Sequence, residues 1–148
     1  MKTQIAKLMK LVNKAYKADE VPVAAMIIKN NKIITKKYNK KQKRKDVTAH
    51  AEILAIRRAA QKAKTWNLEG AELVVTLEPC LMCIIVAEEA RIKKIYYMNQ
   101  NKKSGGIEEY KKIRNNVEFI KLDTNIEYEK KMKKFFKNKR EWSLFLKL

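Results

Sequence analysis

Three residues of zinc-binding types stand out in this sequence of 148 residues: one histidine, His50, and two cysteines, Cys80 and Cys83. The cysteines are three positions apart, so they share a face if they lie on a helix. The positive end of a helix also favours the thiolate form that zinc requires. A structural zinc site normally has four protein ligands, whereas three protein ligands leave one position for water. The sequence therefore predicts a zinc site of the catalytic type.

An acidic residue, Glu52, lies two positions beyond His50. Neighbours at this spacing on a helix point in different directions, so we expect the carboxylate to approach the site without binding the metal. Zinc lowers the pKa of a bound water to about 7, and a nearby carboxylate can accept that proton and deliver it again. These parts would allow water to attack an aromatic amidine carbon and an amine to depart. The predicted reaction class is hydrolytic deamination.

Each of these residues also has a simpler interpretation. A single histidine is commonly a surface or core residue, and a lone Cys-x-x-Cys pair is also typical of redox thiols. Glu52 would then be a solvated helix residue, and Glu78 an ordinary charge at a strand end. The occurrence of His50, Glu52 and both cysteines in one chain favours the metal site.

The predicted helices place the candidate ligands at helix N-termini. The second helix is predicted to begin close to His50, and the third around Cys80, directly after Pro79, which suits a first helical position. Thr3 and Thr48 are the predicted N-caps of the first two helices. The predicted elements, in chain order, are helix 5–16, strands 21–29 and 32–36, helix 50–64, strand 73–77, a helix from residue 80, strands 94–98 and 117–122, and helix 126–146.

Helices alternating with strands predict an α/β fold, namely a three-layer α/β/α sandwich around a central mixed sheet of about five strands. Asn30-Asn31 tolerates the positive φ of a tight turn, so the first two strands should form an antiparallel hairpin. The length suits one domain, residues 1–148. The apolar runs 21–28 and 81–87 are far shorter than the roughly 20 residues of a membrane span. We expect no membrane insertion, no secretory signal and a cytoplasmic location.

The charge of the chain is strongly positive: 35 Lys and Arg against 16 Asp and Glu give a net charge of +19. This excess favours a polyanionic partner, although a lysine-rich proteome is the alternative explanation. Seven cations lie within residues 36–45, and a second cluster follows residues 130–140 of the closing helix, where Phe135 and Phe136 are expected to face the core. Such clusters could hold phosphates while a base is extruded.

Three segments, residues 19–25, 46–56 and 75–83, resemble the bacterial tRNA adenosine deaminases of the cytidine deaminase superfamily. The resemblance covers most of residues 5–98 and includes His50-Ala51-Glu52 and Pro79-Cys80-Leu81-Met82-Cys83, the signature of zinc-dependent nucleobase deaminases. It implies a cytidine-deaminase-like fold, a homodimer and one Zn²⁺ per subunit. It also implies a tRNA anticodon stem-loop as partner, with the wobble adenosine of arginine tRNA converted to inosine.

The resemblance also implies roles for residues around the target base. By position, Asn39 would read the flipped adenine, the backbone amide of Ala51 would meet the base, and the carbonyl of Pro79 would lie beside the departing amine. The walls of the base pocket would be Val21, Val23 and Leu77. Asn101 stands near the target ribose, where the family generally has an acidic residue, and Ile84 and Ile85 replace small residues at the family's dimer contact.

Two rival functions remain at this stage. A guanine, cytosine or nucleotide deaminase acting on small molecules would share every zinc ligand and the glutamate. Alternatively, the chain could be a basic RNA-binding module in which zinc, or a Cys80-Cys83 disulfide, serves structure alone.

Overall fold

A five-stranded mixed sheet forms the centre of the molecule, with its strands in the spatial order β2 (Lys32–Tyr38), β1 (Ala24–Lys29), β3 (Glu72–Leu77), β4 (Lys94–Asn99) and β5 (Glu118–Lys121). The computed structural model describes the backbone of residues 1–146 and the side chains of residues 1–139. Strand β1 is antiparallel to both β2 and β3, whereas β3, β4 and β5 run parallel. The elements are α1 (Lys2–Lys17), β1 (Ala24–Lys29), β2 (Lys32–Tyr38), α2 (Lys41–Arg44), α3 (Ala51–Ala63), β3 (Glu72–Leu77), α4 (Leu81–Glu89), β4 (Lys94–Asn99), α5 (Ile107–Ile113), β5 (Glu118–Lys121) and α6 (Ile126–Leu146).

Alternate residues of β1 face two separate apolar clusters. Met26 and Ile28 pack with residues of α1 and with Tyr128 of α6, whereas Ala25 and Ile27 pack with α3 and α4. The sheet is therefore covered by helices on both faces, because both sets of its side chains are apolar. The predicted α/β/α sandwich is confirmed.

The turn between β1 and β2 is the predicted two-residue hairpin turn. Asn30 and Asn31 have φ values of 51° and 63°. Two successive residues with positive φ match the twist of an antiparallel hairpin, and asparagine adopts this conformation more readily than most residues.

A buried chain of hydrogen bonds fastens α6 to the sheet. The Tyr128 hydroxyl donates to the carbonyl oxygen of Pro22 at 2.8 Å and accepts from the Thr76 hydroxyl at 3.2 Å. The Thr76 oxygen in turn accepts from the backbone N–H of Ala24 at 3.2 Å. Burial raises the pKa of Tyr128, so the phenol stays protonated as the donor in this chain.

Two predicted helix caps and one predicted core residue are wrong. Thr48 is not the cap of α3, because its hydroxyl donates to Asp46 and His50 occupies the N-cap position. Thr3 lies inside α1, which begins at Lys2. Of the two phenylalanines on α6, only Phe135 is buried, whereas Phe136 is 37% exposed.

Two further outcomes concern segments rather than caps. The lysine-rich segment contains the short helix α2, which the sequence pattern did not predict. Within residues 1–146, no helix combines the length and the apolar character needed to cross a membrane.

Candidate metal centre and base pocket

The three candidate ligands lie at the starts of two helices. His50 is the N-cap residue of α3, and its carbonyl accepts the N–H of Leu54. Cys80 is the N-cap residue of α4, and Cys83 lies in the first turn of that helix. Both helices therefore direct their positive ends at the ligands, which favours thiolate at the cysteines.

Among the side chains that the structure describes, these three form the one group of at least three metal-binding residues whose donor atoms lie within 4.8 Å of one another. The Nδ1 atom of His50 lies 3.6 Å from the Sγ of Cys80 and 3.5 Å from the Sγ of Cys83. The two Sγ atoms belong to free cysteines and are 3.6 Å apart.

These separations fit a tetrahedral zinc ion. Zinc bond lengths of about 2.3 Å to sulfur and about 2.05 Å to nitrogen place N and S ligands about 3.6 Å apart and two S ligands about 3.8 Å apart. One imidazole and two thiols are also a donor set that zinc prefers. The donors present therefore fit the metal in both type and spacing.

The protonation states of the ligands are coupled through their hydrogen bonds. A hydrogen bond from Cys83, together with one from His50, lowers the pKa of Cys80 to about 4 against the opposing effect of burial. The hydrogen bond to Cys80, followed by burial, raises the pKa of Cys83. The hydrogen bond to Cys80 also raises the pKa of His50. Cys80 is thus the thiolate, and a cation binding here displaces protons from its two neighbours.

Glu52 lies beside the three ligands in the first turn of α3 and is only 4% exposed. Its carboxyl group stays outside the three-ligand group. Burial raises the pKa of Glu52. A carboxyl group with a raised pKa holds a proton more readily than an ordinary glutamate, which suits general acid–base chemistry.

Asn39 is held next to the start of α3. The backbone N–H of the following residue, Lys40, donates to the carbonyl of Ala49 at 3.0 Å. The side-chain Oδ1 of Asn39 accepts the N–H of Lys41 at 3.0 Å, which fixes the orientation of the amide. Among the described residues, no hydrogen bond holds its Nδ2 group. Asn39 is therefore a mostly buried residue whose amide NH₂ is left available beside the segment that leads to His50.

The other predicted pocket residues belong to the same part of the molecule. Val23 and Ala51 are buried in the apolar cluster on the α3 side of the sheet, and Val21 and Leu77 pack against that cluster partly exposed. The N–H of Ala51 is the first of α3 and has no intrahelical partner, and no side chain caps this helix. The carbonyl of Pro79 accepts the N–H of Gly106 at 2.8 Å, which leaves its second lone pair.

Comparisons with known proteins agree with this arrangement. The model of the MafB19-like deaminase family matches residues 2–140. The chain belongs to this deaminase family.

Individual relatives point in the same direction. A protein of Aquifex aeolicus named tRNA-specific adenosine deaminase is 47% identical over 94 residues, which cover 64% of this chain and 62% of that protein. A protein of the same name from Agrobacterium fabrum is 43% identical over 90 residues, covering 61% of this chain and 59% of that protein. The deaminase thus spans about three fifths of the length of these curated relatives.

Solved structures share the fold. One from a study of A-to-I editing by tRNA:A34 deaminases superimposes with a TM-score of 0.75 at 32% identity, covering 82% of this chain and 98% of that chain. A guanine deaminase of Bacillus subtilis gives a TM-score of 0.66 at 26% identity, covering 84% of this chain and 83% of that chain.

A loop of the deaminase, residues 101–106, packs against the start of α4. The buried carboxylate of Glu78 accepts the N–H groups of Asn101 and Ile107, both at 3.3 Å. A Cβ atom at Gly105 would lie 2.3 Å from the Glu78 carboxylate, so the loop approaches it closely. The interpretation of Glu78 as an ordinary strand-end charge is therefore wrong. The pair Gly105-Gly106 is the sequence signal for this close approach.

The side chain of Asn101 is engaged within its own loop. Its Oδ1 accepts the N–H groups of Lys103 and Ser104, and its Nδ2 donates to the Ser104 hydroxyl at 3.0 Å. The Asn101 amide thus stabilises the loop that adjoins α4.

A cleft of about 570 Å³ lies beside Val21, between the end of α1, α2 and α6. The exposed ring of Phe136 and the amines of Lys43 and Lys139 line it. The amine of Lys103 lies 5.7 Å from the centre of the Phe136 ring. The cleft thus combines an exposed aromatic ring with two lysines, of which Lys139 is ion-paired with Asp19, and Val21 of the predicted base pocket also lines it.

Proposed function

We propose that this deaminase converts adenosine to inosine at the wobble position of a tRNA anticodon, arginine tRNA being the expected substrate. The observation that carries the proposal is the group of His50, Cys80 and Cys83 with the buried carboxyl of Glu52 beside it. The two relatives named tRNA-specific adenosine deaminase, at 47% and 43% identity, support the choice of substrate.

In this proposal His50, Cys80 and Cys83 hold one Zn²⁺, whose Lewis acidity makes water a nucleophile at neutral pH. Glu52 would accept one proton from the attacking water and deliver it to a ring nitrogen as the bond between the water oxygen and C6 of the base forms. It would then take the second proton from the new C6 hydroxyl and deliver it to the amino group, which leaves as ammonia when the C6–N bond breaks. Burial raises the pKa of Glu52, so its carboxyl group holds a proton more readily between the two transfers. Burial of this group keeps bulk water away from the proton path.

The pocket residues orient the base. The Nδ2 group of Asn39 and the N–H of Ala51 donate to acceptor atoms of the adenine. The carbonyl oxygen of Pro79 accepts a hydrogen bond from the amino group of the adenine. Val21, Val23 and Leu77 exclude water from the sides of the ring. Asn101 holds the loop that adjoins the ribose.

The surface beside this pocket favours RNA over a free base. Single-stranded nucleic acids bind where bases stack on aromatic rings and cations hold phosphates. Phe136 and Lys43 line this cleft and the amine of Lys103 lies beside the Phe136 ring, so both features are present. A free nucleobase has no phosphates and would gain nothing from these cations.

The proposal extends to the whole protein. We infer one deaminase domain over residues 1–148, a cytoplasmic location where tRNA is available, and a homodimer. Ile84 is fully buried within its own subunit, so any dimer contact of α4 uses partly exposed residues such as Ile85.

The likeness to the guanine deaminase structure favours one alternative, a deaminase of free guanine, cytosine or a nucleotide. A direct test incubates the protein with total tRNA and sequences the products for adenosine-to-inosine changes, while ammonia release is measured with each small substrate. We expect inosine at the wobble position, little ammonia from free bases, and no inosine with the Glu52→Gln control. Ammonia from free bases with unchanged tRNA would establish the small-molecule alternative, and no reaction with any substrate would favour the structural RNA-binding module.

A further inference from the structure

Glu20 is a buried acidic residue outside the metal centre. Its side chain is 1% exposed, directly after α1. Its Oε1 accepts the N–H of Gln42 at 2.9 Å, and its Oε2 accepts the N–H of Lys43 at 2.8 Å. Both oxygens are thus committed to the backbone of α2.

Helix α2 depends on such bonds because it has little else to hold it. It is one turn long, and none of its residues is buried. Isolated helices of this length are unstable in water, since one turn cannot offset the entropy of ordering it. Its first three N–H groups are bound by two side chains: Asn39 accepts from Lys41, and Glu20 accepts from the next two residues.

The positive charge of residues 40–45 makes the hydrogen bonds between Glu20 and α2 more important. Residues 40–45 contain five cations and one neutral residue. Burial, and then the neighbouring cations, Arg44 first, lower the pKa of Lys40, which reports their mutual repulsion. The carboxylate of Glu20 is a buried counter-charge to this segment, and its hydrogen bonds to N–H groups are of the strong, charge-assisted kind.

The position of α2 bears directly on the base pocket. The N–H of Lys41 fixes Oδ1 of Asn39, which leaves Nδ2 as the donor that faces away from α2. Lys43 lines the cleft beside Phe136, so the same turn also places a phosphate-binding cation. A shift of α2 would therefore release the amide and displace the cation together.

We propose that Glu20 is a positioning residue for binding of the nucleic acid substrate. It holds α2 in place, so that the Asn39 amide and the Lys43 amine contact the target nucleotide. This inference rests on the proposed tRNA function. Glu20 touches neither the metal ligands nor the substrate, and acts through the backbone of residues 42 and 43.

The test compares Glu20→Gln with Asp123→Asn, a control that loses the same charge at an exposed position outside the cleft. In Glu20→Gln an amide NH₂ faces one of the two N–H donors, so one bond is lost. We expect KM for an anticodon stem-loop to rise about tenfold at fixed salt, with kcat within about twofold and zinc content unchanged. Charge removal alone acts in the opposite direction, because it strengthens RNA binding, and only this smaller effect is expected of Asp123→Asn.

A second readout separates positioning from general stability. Trypsin should cleave Glu20→Gln faster than wild type after the basic residues of 40–45, with cleavage elsewhere unchanged. If Glu20→Gln does not fold, Glu20→Asp replaces it, because it keeps the charge but its carboxylate stops about 1.5 Å short of α2. The same rise in KM is then expected.

The outcomes distinguish the two proposals. If wild type edits the stem-loop and Glu20→Gln has an unchanged KM, only the role of Glu20 is overturned. Uniformly faster proteolysis of the whole chain also overturns it, because the variant is then destabilised as a whole. A wild-type protein that leaves the stem-loop unedited overturns the proposed function, and in that case the trypsin comparison still decides whether Glu20 holds α2.

Discussion

Replacing Gly106 by alanine should weaken metal binding without touching a ligand. The φ of Gly106 is −106°, which alanine adopts freely, so the substitution adds one methyl group and no backbone strain. That methyl group would lie 2.2 Å from the backbone nitrogen of Leu81 and 2.7 Å from the carbonyl carbon of Cys80. Reaching a normal contact requires a shift of about 1 Å in the loop or in the start of α4.

The shift is large compared with what the metal centre tolerates. Zinc sites hold their ligand distances to about 0.2 Å, and disturbing the groups that orient the ligands typically costs 10- to 100-fold in affinity, so we expect a loss of about that size. Overpacking should also lower the free energy of unfolding by about 1–3 kcal/mol.

The assay is competition for zinc with a chromophoric chelator, followed by urea unfolding of the metal-free chains. Lys102→Ala is the control in the same loop, at an exposed position, and its stability should stay within about 0.5 kcal/mol of wild type. Cys80→Ser marks the result for a lost ligand. If Gly106→Ala bound zinc as tightly as wild type, the inference that this loop positions α4 would be wrong.

Two further substitutions test the scaffold around the site. Tyr128→Phe removes the hydroxyl that joins Pro22 to Thr76 and should lower the free energy of unfolding by about 2 kcal/mol. By calorimetry, Tm should fall by about 4–8 °C. The control Tyr96→Phe should lower stability less, because its hydroxyl is only partly buried. Burial alone would raise the pKa of Glu88, but its hydrogen bonds with Asn116, Tyr110 and Arg114 outweigh burial and lower it. Glu88→Gln should therefore be less stable than wild type above about pH 5, where the carboxylate is charged in both the folded and the unfolded chain. That difference should shrink as the pH falls through the ordinary glutamate pKa of about 4.3 towards the lowered pKa of Glu88. A difference independent of pH in urea unfolding would contradict this assignment.

The metal centre could be predicted from the sequence because the inventory is small. With one histidine and two cysteines in the chain, no other set of nitrogen and sulfur ligands was available. Pro79 and the apolar spacing after His50 also marked where two helices begin, so their convergence followed from the alternation of helices with strands. The centre of the sheet was equally visible, because β1 and β3 are apolar on both faces.

Features held by distant partners could not be predicted. Helix α2 has no apolar positions and therefore no periodicity, and it exists because Glu20, 22 residues away from Gln42, binds its backbone. Glu78 looked like a strand-end charge because its partners lie 23 and 29 residues further along. Thr48 was a plausible cap by residue type, but its hydroxyl binds Asp46 instead, a local bond that competes with capping.

The most direct test of the catalytic assignment measures zinc content and inosine formation together in wild type and in Glu52→Gln. Reduced, purified wild type should carry close to one zinc per chain and form inosine in an anticodon stem-loop. Glu52→Gln should keep its zinc and its fold and form no measurable inosine. A Glu52→Gln variant that edits the stem-loop at the wild-type rate, or an active wild type without zinc, would contradict the assignment.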